Sequence, residues 1–70
     1  MGKNQQGYII EFVQMGTAVK VSAIDPVTNI EVSTVGSVHH SERHMTNVAV
    51  RKLEYRIAKE REAGRLKSRS

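Results

Sequence analysis

The apolar residues of this chain change their period once, and that change limits what the chain can fold into. Between Tyr8 and Val35 they fall at alternate positions, and between Met45 and Ile57 they recur every four. Strand side chains point to opposite faces with period two, whereas helix side chains return to one face every 3–4 residues. Tyr8, Ile10 and Phe12 can therefore share a face of a first strand, with Ile9, Glu11 and Val13 on the other. Val19, Val21 and Ala23 alternate with Lys20, Ser22 and Ile24 in a second strand, and Ile30, Val32 and Thr34 with Glu31, Ser33 and Val35 in a third. Met15-Gly16-Thr17 reads as a tight turn, and Asp25-Pro26-Val27-Thr28-Asn29 as a hairpin loop, because Asn tolerates left-handed φ. Parallel pairing needs crossovers of a dozen or more residues, and none are present. The strands therefore predict an antiparallel meander.

Gly36 to His40 connects the last strand to a predicted helix from about Glu42 to about Ala63. Ser41 is its N-cap and Gly64 its stop. Met45, Ala49, Leu53 and Ile57, with Thr46 and Val50 beside them, form the buried stripe. The expected fold is α+β: a three-stranded antiparallel meander with one long helix on one sheet face, a single domain over residues 7–64. Residues 1–6 and 65–70 are expected to be a flexible N-terminus and a basic, disordered tail.

With 70 residues and no cysteine, the chain has room for one small core and no disulfide to brace it. One helix cannot cover both sheet faces. Ile9, Val13, Ile24 and Val35 put apolar surface on the face opposite Ile10 and Val21, and periodicity alone leaves open which face receives the helix. The uncovered face and two open sheet edges predict a homo-oligomer or a protein partner.

The stretch Val19-Lys20-Val21-Ser22-Ala23-Ile24-Asp25-Pro26, with Thr28, Glu31-Val32-Ser33, Val35-Gly36 and Val50-Arg51-Lys52-Leu53-Glu54-Tyr55, resembles a family of very short alphaproteobacterial proteins classed as a domain of unknown function. The resemblance spans roughly residues 8–58. Members often carry Thr-Gly in the hairpin turn where this chain has Thr28-Asn29. The histidine-rich connection and the tail lie outside the pattern. The resemblance implies a bacterial, cytoplasmic protein and brings no catalytic residue, cofactor or substrate.

The chain carries a net charge of +4, unevenly placed: residues 1–36 sum to −1 and residues 37–70 to +5. Arg51, Lys52, Arg56, Lys59 and Arg61 on the helix, with Arg65, Lys67 and Arg69 after it, are the candidate phosphate-binding residues of a nucleic-acid-binding alternative. Glu54, Glu60 and Glu62 dilute that patch, and three aromatic residues are few for a base-stacking sheet. Val48 and Tyr55 lie two helical turns apart, away from the buried stripe. Together with Ile9 and Val13 they are the candidate partner-binding residues.

His39, His40 and His44 are the candidate metal ligands. Adjacent histidines tend to point apart, so the reading assigns no metal. Asp25 is the one aspartate and its turn accounts for it; no glycine-rich phosphate loop is present. The chain is read as a non-enzymatic interaction module with no cofactor and no small-molecule substrate. No apolar run approaches the ~20 residues of a membrane span.

Overall fold

The computed structural model describes residues 3–5 and 7–65. Four strands and one helix follow in order: β1 (Lys3–Gln5), β2 (Tyr8–Met15), β3 (Ala18–Asp25), β4 (Ile30–Ser37) and α1 (Glu42–Glu62). The strands form one antiparallel sheet in the order β1-β2-β3-β4. The three eight-residue strands and the long helix are those expected from periodicity. The short β1 is an addition. It pairs Lys3 with Ile10 and Gln5 with Tyr8, inside the segment expected to be flexible. The rest of that segment, residues 1, 2 and 6, lies outside the described residues, as does the tail at 66–70.

Each connection has a local cause. Gly16 takes φ 63° in the β2–β3 turn, as a tight hairpin requires. In the β3–β4 loop the Asp25 carboxylate accepts the Val27 N–H at 3.0 Å and the Thr28 hydroxyl at 2.9 Å. The Asn29 N–H closes the loop on the Asp25 carbonyl at 2.7 Å, with Asn29 itself at φ 63°. Asp25 is buried and fully engaged in this turn.

The helix is capped at both ends. Ser41, in an extended conformation, accepts the His44 N–H on Oγ at 3.0 Å. At the other end Gly64 adopts φ 75°, its N–H bonds the Arg61 carbonyl, and the Arg65 N–H bonds the Glu60 carbonyl. This pair of bonds is the Schellman arrangement, which satisfies carbonyls the helix leaves free.

The helix packs against β3 and β4 and runs antiparallel to β4, with Met45 over Gly36 and Lys52 beside Ser33. Ile10, Val19, Val21, Ala23 and Val32 from the sheet meet Met45, Ala49, Val50, Leu53 and Ile57 from the helix. The face left undecided by periodicity is thereby assigned: the helix covers the one carrying Ile10, Val21 and Val32. Tyr8, Phe12 and Ile30 are partly buried at the margin of this core.

Gly36 sets the approach of the helix to β4. A Cβ there would lie 2.9 Å from Met45 Sδ and 3.2 Å from its Cγ. Gly36→Val is therefore expected to destabilise the fold by about 1–3 kcal/mol through overpacking, measured by urea denaturation. Unchanged stability would mean that Met45 has another place to go.

Candidate functional site

The sheet face away from the helix carries four of the exposed large apolar side chains among the described residues. The strand registers arrange it in four rows across β2, β3 and β4: Ile9–Ile24–Glu31, Glu11–Ser22–Ser33, Val13–Lys20–Val35 and Met15–Ala18–Ser37. Ile9 is 37% exposed, Val13 and Met15 each 52%, and Val35 71%. A polar row of Glu11, the buried Ser22 and Ser33 crosses the face from β2 to β4 and divides these four and the half-buried Ile24 and Ala18 into two groups, with Lys20 between Val13 and Val35. No described residue covers this face. The sequence reading named Ile9 and Val13 as partner-binding, and both lie on it; Met15 joins them, a residue the reading placed only in a turn.

Val48 and Tyr55 lie on the helix, 41% and 66% accessible, and Val48 lines a small cavity at the β4 edge with Thr34, Val35, Gly36 and Met45. Lys59 Nζ sits 5.8 Å from the Tyr55 ring centre. Val48 and Tyr55 both stand on the helix side of the sheet, whereas Ile9 and Val13 stand on the open face, and Val48 meets the open-face Val35 only around the β4 edge. The candidate partner residues therefore divide into two surfaces.

The open edges are treated differently. β1 covers β2 only as far as Ile10, leaving Glu11–Met15 with no strand partner on that side among the described residues. On β4, Lys52 Nζ donates to the Ser33 carbonyl at 2.7 Å and the Ser37 N–H donates to His40 Nδ1 at 3.2 Å. Both bonds occupy groups that an added strand would need, which discourages edge-to-edge pairing at β4.

Of the six cations of α1, three are engaged by a described residue: Arg56, Lys59 and Lys52. Arg56 pairs with Glu60 at 2.9 Å, Arg65 reaches the same carboxylate, and Lys59 lies 3.9 Å from Glu62. Hydrogen bonds from Arg65 and Arg56 hold the Glu60 carboxyl below its ordinary range. With Lys52 turned to β4, Arg51 and Arg61 are the candidate phosphate ligands that make no ion pair among the described residues. Lys67 and Arg69 lie outside the described residues.

The histidines do not converge. His40 and His44 approach with ring centroids 5.2 Å apart, and His40 Nδ1 already accepts the Ser37 N–H. Among the described residues no group of three or more His, Cys, Asp or Glu is placed to hold a metal ion. The helix N-terminus and the sheet end enclose a shallow groove of about 330 Å³ between Phe12, Val19, Val38, His40 and Met45. No described helix is long and apolar enough to cross a membrane.

Tyr8 bridges β2 to the helix, donating its hydroxyl to Glu54 Oε2 at 3.4 Å. Desolvation, then the charges of Glu54 and Asp25, raise its pKa above the ordinary tyrosine value. The folded state thus favours the neutral phenol. This contribution is complete below the unfolded tyrosine pKa of about 10 and is lost as pH rises through the folded value. Wild-type stability is expected to fall more steeply above about pH 10 than that of Tyr8→Phe, measured by urea denaturation across pH. Parallel curves would show that the hydroxyl is not coupled to folding.

Comparison with the curated proteins returns no match, and comparison with the solved structures returns none. The family model described as domain of unknown function DUF6898 matches residues 5–60, the whole of β2 to β4 and nearly all of α1, and the chain belongs to that family.

Proposed function

We propose that this protein is a non-enzymatic interaction module that self-associates through the open face of its sheet. The observation that carries the reading is the cluster of Ile9, Val13, Met15 and Val35, exposed together on one side of a folded sheet. Val13 and Met15 adjoin along β2 and Ile9 adjoins Ile24, and exposed apolar surface edged by polar residues marks interaction sites. Three eight-residue strands span about 14 Å by 26 Å at ordinary strand spacing and rise. Two such faces together offer a footprint of roughly 700 Å², the scale of a weak, reversible association. The second copy is favoured as the occupant because the face carries both signs of charge, Lys20 with Glu11 and Glu31, and is therefore able to complement itself.

Sedimentation equilibrium at micromolar concentration tests the reading. The expected mass is twice the 7.8 kDa of the chain. A species that stays monomeric up to about 100 μM, weaker than the affinity arithmetic of a useful dimer allows, overturns it. Nucleic-acid binding ranks second, because Glu60 and Glu62 pair with Arg56, Lys59 and Arg65 and cancel two of their three charges. A mobility shift on generic DNA or RNA at ~50 mM salt that disappears on raising the salt would reverse that ranking.

A further inference from the structure

The rows of the open face decide how two copies can meet, granted the face-to-face association just proposed. Only two simple two-fold arrangements keep the strands of the two sheets aligned, as most stacked sheets do. An axis along the strands, over β3, lays each row on itself. Lys20 then faces Lys20 of the partner subunit, and Ile9 faces the partner's Glu31. Like charges would meet at the centre of a closed interface, with no carboxylate directly opposite.

An axis across the strands exchanges the rows instead. Ile9 then meets the partner's Met15, and Ile24 meets the partner's Ala18, a large side chain over a small one. Lys20 comes to rest over the partner's Ser22, with the partner's Glu11 one strand away, about 4.8 Å to the side and within reach of a lysine stem. The same contact recurs by symmetry, so the interface holds two such pairs.

We propose that two copies pack open face to open face about a two-fold axis perpendicular to the strands, with Lys20 of each paired to Glu11 of the other. The helices then lie outermost, giving an assembly of helix, sheet, sheet and helix layers. Lys20 sets the orientation, because it is the lone cation of the face among the described strands β2 to β4.

The test is a charge exchange read by sedimentation equilibrium on full-length chains. Lys20→Glu and Glu11→Lys are each expected to weaken the dimer about tenfold or more, and the double exchange to recover most of that loss. Both positions are exposed in the single chain, and circular dichroism checks that each variant folds. Cysteine pairs give a second reading, since the chain has no cysteine of its own. An equimolar mixture of Ile24→Cys and Ala18→Cys chains should oxidise mainly to the mixed disulfide. Lys20→Cys chains should cross-link poorly to themselves. A wild-type dimer that is indifferent to both charge changes, or efficient Lys20→Cys self-linking, overturns this orientation while leaving face-to-face association standing. A monomeric wild type overturns the association itself.

Discussion

Leu53→Ala is expected to leave the single chain mostly unfolded at 25 °C. Leu53 is fully inaccessible and lies with Ile10 and Val21, the other two largest wholly buried side chains. Leucine-to-alanine changes in such sites cost about 2–5 kcal/mol, from lost transfer energy and the cavity that remains. A core below about 70–80 residues rarely supplies more than about 3–5 kcal/mol, so one truncation removes most of what holds the fold. The helix has little to fall back on. Its i,i+4 ion pair, Arg56–Glu60, has the cation N-terminal to the acid, the weaker orientation, so it depends on packing against the sheet. Urea denaturation followed by circular dichroism measures the effect. Leu53→Met, which nearly conserves volume, should cost less than about 1.5 kcal/mol, and Tyr55→Ala, on the exposed side of the helix, about 0.5 kcal/mol at most. A Leu53→Ala chain that keeps a full cooperative transition near the wild-type midpoint would show that the core is not shared between helix and sheet as described.

The three long strands and the helix were legible because each apolar pattern is regular over several repeats. The short β1 was not. Lys3-Asn4-Gln5 has no apolar alternation, and its pairing rests on backbone bonds to β2 that composition does not announce. The choice of covered face was legible in a signal other than apolar periodicity. Both faces are rich in valine and isoleucine, but Glu11, Lys20 and Glu31 all share one parity. The opposite parity carries Ala23 and Gly36, small residues that let a helix approach, and only one charge across β2 to β4, Asp25, which its own turn consumes. Charge parity therefore separates two faces that hydrophobicity alone leaves equal. The candidate site was half legible for the same reason. Ile9 and Val13 follow from the strand pattern, whereas Met15 joins the face because Gly16, not Met15, supplies the left-handed turn residue. The spacing of Val48 and Tyr55 puts both off the buried stripe of the helix, but sequence gives no sense that Val48 reaches the β4 edge beside Val35.

Val13→Asp combined with Val35→Asp is expected to convert the associated protein to a folded monomer. The two valines flank Lys20 in one row, 52% and 71% exposed in the single chain, so neither holds up the core. In a closed face-to-face pair the four new carboxylates would be taken from water with only two lysines between them. Each uncompensated buried charge costs several kcal/mol, and each lost valine burial about 1.5 kcal/mol, so a weakening of at least ~100-fold is expected. Val13→Thr with Val35→Thr keeps β-branched shape and strand preference, and should weaken association far less. Thermal unfolding provides the second measurement. If folding is coupled to association, the wild-type midpoint rises with protein concentration by mass action, and that of the Asp pair does not. A variant that keeps the wild-type mass and concentration dependence would place the interface away from this face. The exposed Val48 and Tyr55 of the helix would then be the next residues to test, since they too are large apolar side chains left to water.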